Sequence, residues 1–208
     1  EPMPGEDQLG YSWHNYCQDV FLESQGLPLG NVENCWKFSQ ERTTTALAQA
    51  ERMHAVPLLS EWGATDNVRA VEIDAAVADR NLMGWTHWAY KQWQDPTTAD
   101  EAQGLFHDDA DLGSVKADKL RVLVRTYAQA TAGTPLAMDF DTATGEFTYR
   151  YRSNGIDAPT EIFVSPLHYP DGHDVQVTGG QWQPGTSGRI EVRPDTPGQE
   201  VTVRVTRR

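Results

Sequence analysis

Glu61 is the residue of this 208-residue chain whose type and position most favour catalysis. It lies near the end of Val56–Trp62 (VPLLSEW), an apolar run typical of a strand buried in a parallel sheet. The glutamate is thus expected at the carboxyl end of a strand whose earlier residues lie in the sheet interior. (β/α)8 barrels place their catalytic groups at this end of their strands. The structural alternative is a strand-end glutamate that pairs with an arginine.

His14 and Tyr16 lie two positions apart in Gly10–Tyr16 (GYSWHNY), an aromatic-rich segment that predicts a short strand. Their side chains therefore share one face of that strand. If the strand belongs to the same barrel as Glu61, both side chains converge on the mouth that holds the carboxylate. A Tyr16 hydroxyl that donates to Glu61 would keep it ionised. The alternative is two half-buried polar aromatic residues in a core.

Trp88 closes a third predicted strand, Leu82–Tyr90 (LMGWTHWAY), where an indole ring could stack on a sugar. Trp85, on the same strand, is expected to be a core residue. Gln18 and Trp93 lie just beyond strand ends and are weaker candidates for substrate binding. For these two residues a purely structural role is the favoured interpretation.

The two cysteines, Cys17 and Cys35, are 18 positions apart in a stretch, 17–39, that is predicted as a loop. Neither belongs to a CxxC motif or has a histidine at ligand spacing, which argues against a zinc site. Two reduced, buried thiols are one interpretation. A disulfide is the favoured one, because it would staple a long loop.

Helices are predicted between and after these strands, and the order strand–helix repeats three times. Repeated βα units imply a parallel sheet, and three of them would make three-eighths of a (β/α)8 TIM barrel. The predicted helices are about 40–54 with Ser39 as N-cap, one that follows the cap residue Asn67, and Asp118–Ala130.

From Gly133 onward the pattern changes to short, alternating segments separated by turn residues. Such strands without helices predict a β-sandwich. The fold class is therefore α/β plus all-β, with residues 1–133 as barrel strands six to eight and 134–208 as the β-sandwich. The predicted strands are Glu146–Tyr151, Glu161–Ser165, Asp174–Thr178, Arg189–Val192 and Glu200–Val205.

The net charge of −13 argues against nucleic-acid binding, which depends on neutralising phosphates. No run reaches the roughly 18 consecutive apolar residues that a membrane span needs. The chain begins at Glu1 rather than at a methionine, so it is expected to be mature or cut, and the missing leader does not argue against secretion.

The segments YSWHNY, LLSEWGATDN and GWTHWAY together resemble glycoside hydrolase family 5, and most closely its endoglycoceramidase (endoglycosylceramidase) subfamily. FDTATGEFTYRY and EIFVSPLHYPDGHDV resemble that subfamily's C-terminal β-sandwich. The resemblance implies that Glu61 is the nucleophile and that His14 and Tyr16 are the H-x-Y of the sixth strand. It also implies that Trp88 closes the eighth strand and is followed by a cis peptide bond.

The resemblance further implies a retaining mechanism, with two carboxyl groups about 5–5.5 Å apart. Its product would be an intact oligosaccharide released from the ceramide of a glycosphingolipid, by an extracellular enzyme. Because glycolipids lie in membranes, peripheral contact with a membrane surface is compatible with this function. No metal or organic cofactor is implied.

The sequence departs from the family at the acid/base glutamate, which the family carries after an asparagine on the fourth strand. Glu33 and Asn34 have the reverse order and lie in the predicted loop. Strands one to five are also missing. The chain is therefore expected to be a fragment, or one polypeptide of a nicked enzyme, with the N-terminal half of the same enzyme as its partner.

Two other functions remain open at this point. One is a family 5 hydrolase of another β-glycoside. The aglycone distinguishes the two substrates, and the sequence does not identify the apolar groove that a lipid aglycone would need. The loop at 91–117, with Leu105 and Phe106, is a candidate for that groove. The other is a non-catalytic sugar- or lipid-binding module on the β-sandwich, with Trp182 and Tyr169 as its platform. A structural buttress is the favoured interpretation of the β-sandwich.

Overall fold

The computed structural model describes residues 8–24, 31–92 and 102–208, which form two compact units. The first unit takes in the chain up to Ala78 and Met83–Leu123, and the second takes in Asp79–Leu82 and Val124–Arg208. The helices and strands of the first part of the chain are β1 (Leu9–Asn15), α1 (Gln18–Ser24), α2 (Asn34–Met53), β2 (Ala55–Trp62), α3 (Val68–Arg80), β3 (Gly84–Trp85), a 3-10 turn (Leu112–Ser114) and α4 (Ala117–Leu123).

The first unit contains a three-stranded parallel sheet in the order β1-β2-β3. One face of the sheet is buried, and its residues Leu59 and Trp62 belong to a core with Val71 and other residues of α3. The opposite face is open within the described chain, because Val56 is 72% exposed and Leu58 is 37% exposed. Parallel sheets are normally covered on both faces, so these exposed apolar side chains are unusual.

Helix α2 begins at Asn34, so the prediction of a loop throughout 17–39 is wrong; helix α1 also lies in that stretch. The buried face of α2 explains the error. It consists of small or polar residues at four-residue spacing over its first three turns, so no apolar period marks the start of the helix. Its buried residues are Cys35, Ser39, Thr43, Ala46 and Ala50.

The second unit contains two four-stranded antiparallel sheets, in the orders β4-β7-β10-β9 and β5-β6-β11-β8. Both sheets contribute to one apolar core, for example Ile162 and Val192 from the first sheet and Tyr149 and Val203 from the second. The strands are β4 (Tyr127–Ala130), β5 (Gly133–Phe140), β6 (Phe147–Ser153), β7 (Thr160–Phe163), β8 (His173–Thr178), β9 (Gly180–Pro184), β10 (Arg189–Pro194) and β11 (Glu200–Arg207).

The predicted helix Asp118–Ala130 ends at Leu123, and Tyr127–Ala130 instead forms β4. An apolar spacing that fits a helix is overridden here by pairing with β7, in which Tyr127 lies opposite Phe163. The predicted third strand, Leu82–Tyr90, is also shorter, since only Gly84–Trp85 pairs. The compact units accordingly divide after Leu123, whereas the sequence placed the boundary near residue 133.

A buried ion pair within the second unit joins Asp79 to Arg125 at 2.7 Å, with both side chains at most 3% exposed. Burial raises the pKa of the Asp79 carboxyl to about 6, although the charge of Arg125 opposes the shift. Removing either partner would leave a buried charge uncompensated. Among the helices of the described residues, none combines the length and apolarity needed to cross a membrane.

Candidate active site

Glu61, His14 and Tyr16 meet at the carboxyl ends of two neighbouring parallel strands. The Tyr16 hydroxyl donates to Glu61 Oε2 at 3.0 Å, and His14 Nδ1 lies 3.1 Å from the same oxygen. Within the described residues Oε1 of Glu61 accepts no hydrogen bond. The side chain of Glu61 is 30% exposed and that of His14 is 52% exposed, so the carboxylate is open to a ligand.

A bulge in β2 brings Glu61 to this face of the sheet. Trp13 pairs with Leu59 but His14 pairs with Glu61, so Ser60 is the extra residue of β2. Without it, strict alternation would put Glu61 on the same side as the buried Leu59. The shift turns the carboxylate to the open face beside His14. The sequence pattern of VPLLSEW carries no signal for this bulge.

The environment of Tyr16 keeps its hydroxyl protonated. Burial of part of the ring, the hydrogen bond to Glu61 and the carboxylate's charge all raise the pKa of Tyr16 above its ordinary value. A phenol that cannot ionise remains a donor at every physiological pH. The Tyr16 hydroxyl can therefore donate to Glu61 Oε2 throughout that range.

Gly63 permits the turn that follows Glu61 and Trp62. Its φ is +78°, and a Cβ at this position would lie 2.8 Å from the ring of His87. His87 Nε2 is 3.1 Å from the Gly63 carbonyl oxygen, and burial lowers the pKa of His87 to about 3. A neutral His87 therefore donates to this carbonyl and holds the turn against the segment that leads to Trp88.

Trp88 is held by hydrogen bonds at its backbone and at its ring. Its N–H donates to the Trp62 carbonyl at 2.9 Å, and its indole Nε1 donates to Gln103 Oε1 at 3.0 Å. The Trp88–Ala89 peptide bond is cis, as the family resemblance implies. The ring is half-buried, so part of it is available to a ligand.

Gln103 is a site residue that the sequence did not indicate. Its carbonyl accepts from the Ala89 N–H at 3.1 Å and from Lys119 Nζ at 3.2 Å. Lys119 is 1% exposed and also donates to the carbonyls of Ala102 and Gly104. A glutamine in a loop of mixed composition carries no pattern, so only the fold could show that it contacts Trp88.

The remaining predicted residues make no hydrogen bond or ion pair with Glu61 or fall outside the described residues. Gln18 is the exposed first residue of α1 and makes no hydrogen bond or ion pair with the described residues. Trp93 falls outside the described ranges. Cys17 and Cys35 form a disulfide with their Cα atoms 5.5 Å apart. No cluster of metal-binding side chains occurs in the part of the chain that the structure describes.

The proposed sugar platform of the second unit is not supported at Tyr169. This residue is 6% exposed and its hydroxyl donates to the Gly145 carbonyl at 2.7 Å, so its ring cannot offer a surface. Trp182 is 40% exposed on β9, opposite the buried Val192 of β10. Directly opposed residues share a face, so Trp182 points to the core side of its sheet.

Comparisons with known proteins match both parts of the chain. The model of the glycoside hydrolase family 5 C-terminal domain matches residues 125–205. Endoglycoceramidase I of Rhodococcus hoagii (strain 103S) is 39% identical over 195 residues, which are 93% of this chain and 36% of that relative. The chain therefore spans about a third of the length of this relative.

Known structures are similar to the chain as well. Endo-glycoceramidase II from Rhodococcus sp., in its ganglioside GM3 complex, has a TM-score of 0.73 at 21% identity and is matched over 100% of this chain and 44% of its own. Sterylglucosidase 1 of Cryptococcus neoformans has a TM-score of 0.71 at 16% identity, over 88% of this chain and 34% of its own. These likenesses concern the fold alone. The matched endoglycoceramidase has a TIM barrel with a C-terminal domain. The chain is thus similar to endoglycoceramidase I over 93% of its length, and its residues 125–205 match the C-terminal domain of glycoside hydrolase family 5.

Proposed function

We propose that this chain supplies the nucleophile of a retaining glycoside hydrolase that releases the intact oligosaccharide from the ceramide of glycosphingolipids. The observation that carries the proposal is the Glu61 carboxylate at the end of β2. The Tyr16 hydroxyl donates to its Oε2, His14 Nδ1 lies 3.1 Å from the same oxygen, and no described residue donates to Oε1. A carboxylate held by one oxygen leaves the other free to attack an anomeric carbon.

In the proposed reaction, Glu61 Oε1 forms a bond to the anomeric carbon as the bond to the ceramide oxygen breaks. A second carboxylic acid, about 5–5.5 Å away, gives its proton to the ceramide oxygen. Water then hydrolyses the glycosyl-enzyme bond with the second group as base, which restores Glu61. Tyr16 and His14 hold Oε2 in line during both steps.

We further propose that β1, β2 and β3 are the last three strands of a (β/α)8 barrel, followed by a β-sandwich. An N-terminal segment would contribute strands one to five and the acid/base glutamate. The exposed Val56 and Leu58 support this arrangement, because a closed barrel would bury them. The full-length protein below means this chain together with that segment.

The relatives support the substrate class. The Rhodococcus endo-glycoceramidase II is known as a lactosyl-enzyme intermediate and as a ganglioside GM3 complex. A covalent sugar on that enzyme is the kind of intermediate proposed for Glu61. The disulfide between Cys17 and Cys35 supports secretion, because such bonds persist outside reducing compartments.

The aglycone is tested by offering the full-length protein a GM3-type glycosphingolipid and a steryl glucoside, the second because of the fold shared with sterylglucosidase 1. We expect mass spectrometry to detect free ceramide and the intact head-group oligosaccharide, with little turnover of the steryl glucoside. Preferred hydrolysis of the steryl glucoside would favour the alternative function, a hydrolase of another β-glycoside. Stepwise release of monosaccharides from the glycosphingolipid would contradict the proposal.

Replacing Tyr16 with phenylalanine in the full-length protein is expected to lower kcat by about 10- to 100-fold. The change removes one hydrogen bond to a charged acceptor, worth roughly 1.5–3 kcal/mol. Tyr11→Phe, within the preceding strand β1, is the matched control and should leave kcat unchanged. Steady-state hydrolysis of a fluorescent glycosphingolipid measures both. Equal kcat values for Tyr16→Phe and the unmutated protein would remove this role of Tyr16.

A further inference from the structure

A buried polar cluster lies beneath the strand end that carries His14 and Tyr16. Asn15 stands between these two residues, and because side chains alternate along a strand, it points to the opposite, covered face. Asn15 is 2% exposed, Ser39 is 0% exposed and Asp74 is 5% exposed. The three residues come from β1, α2 and α3, so the cluster joins the strand end to both helices.

The three side chains converge on one carboxylate oxygen. Asn15 Nδ2 donates to Ser39 Oγ and to Asp74 Oδ1, each at 2.8 Å, and the Ser39 hydroxyl donates to the same Asp74 oxygen. Burial raises the pKa of the Asp74 carboxyl to about 7, against the two hydrogen bonds, which lower it. If one of the three side chains moved, buried polar atoms of the other two would lose their hydrogen bonds. Such a network therefore fixes the relative positions of its members.

The Cys17–Cys35 disulfide is a second attachment of the same segment to α2. Cys35 and Ser39 are one helical turn apart and both are buried, while Asn15 and Cys17 are both buried two positions apart. Asn15 and Cys17 are therefore each attached to α2, at two successive turns of that helix. Tyr16 lies between them and is exposed on the other face.

We propose that Asn15, Ser39 and Asp74 are positioning residues that hold His14 and Tyr16 at hydrogen-bonding distance from Glu61 Oε2. The inference rests on the proposed role of Glu61 as nucleophile. The cluster and the disulfide anchor the covered side of this segment to α2 and α3. Such anchoring matters for the two side chains on the open side, because hydrogen bonds weaken within a few tenths of an ångström beyond their optimum.

The test measures kcat and KM for glycosphingolipid hydrolysis by the full-length protein and its Ser39→Ala variant. The substitution removes both hydrogen bonds of the Ser39 hydroxyl in the cluster, and we expect kcat to fall by about tenfold with KM within about twofold. The same substitution is then made in a background that lacks both donors, His14→Ala with Tyr16→Phe. If the cluster acts through those donors, kcat falls there by no more than about twofold.

Equal factors in the two backgrounds would show that Ser39 acts through stability alone and would overturn the proposal. So would an unchanged kcat for Ser39→Ala in the otherwise unmutated protein. Thr43→Val, one turn further along α2 and equally buried, is the matched control and should keep kcat in both backgrounds. If Ser39→Ala does not fold, Asn15→Ala gives the same comparison from the strand.

The outcomes also separate this inference from the proposed function. An unmutated full-length protein that hydrolyses no β-glycoside would end the proposed function itself. An active protein whose Tyr16→Phe variant loses activity, but whose Ser39→Ala variant loses the same factor with and without the two donors, would end only the positioning role.

Discussion

Replacing Glu61 with glutamine in the full-length protein is expected to lower kcat by at least about a thousandfold. Glutamine keeps the size of the side chain, and its amide oxygen can still accept a hydrogen bond from the Tyr16 hydroxyl. It has no anionic oxygen to attack an anomeric carbon. The fall in kcat therefore reports loss of the nucleophile and not a change in side-chain packing. Hydrolysis of a fluorescent glycosphingolipid measures the change, and unaltered thermal unfolding would show that the fold is retained.

Glu51→Gln is the matched control, because Glu51 is an exposed carboxylate on α2 of the same unit and should tolerate the change. A second measurement identifies the role. With Glu61→Ala, added azide is expected to attack the anomeric carbon from the vacated side and to form a glycosyl azide of inverted configuration. An azide product of retained configuration would instead make Glu61 the acid/base group, and full activity of Glu61→Gln would end its catalytic role.

The chain of 208 residues, produced alone, is expected to lack both hydrolase activity and a cooperative unfolding transition for its first unit. Its parallel sheet leaves Val56 and Leu58 exposed on a face that a closed barrel would bury. Burial is worth roughly 25 cal/mol per Å2 of apolar area, against a total stability of only about 5–15 kcal/mol for a typical domain. The acid/base group would also be missing, so turnover should be absent.

The measurement is thermal unfolding followed by near-ultraviolet circular dichroism, together with glycosphingolipid hydrolysis. Coexpression with the N-terminal segment should restore activity and yield a stable complex across the open sheet edge. The second unit serves as the internal control: its two sheets share their own core, so it should unfold cooperatively even in the isolated chain. An active, monomeric chain with one cooperative transition for both units would contradict the prediction.

Features that depend on local pattern were predictable from the sequence. The apolar run before Glu61 places a carboxylate at the end of a strand, and the two-residue spacing of His14 and Tyr16 places them on one face. The disulfide followed from Cys17 and Cys35 lying in one stretch without metal-ligand spacing. Each of these inferences needed only neighbouring residues, because strand periodicity and cysteine chemistry act over short distances in the chain.

Tertiary structure alone decided which partners those residues have. The bulge at Ser60 turns Glu61 to the face of His14, and β4 forms from a segment with helical spacing because β7 pairs with it. Asn15 reaches Asp74 across 59 positions of sequence, and Gln103 reaches Trp88 from a loop. Buried polar residues follow no hydrophobic period, and their partners are set by packing of distant elements. The sequence alone could therefore identify the candidate nucleophile, but not the network that holds its donors.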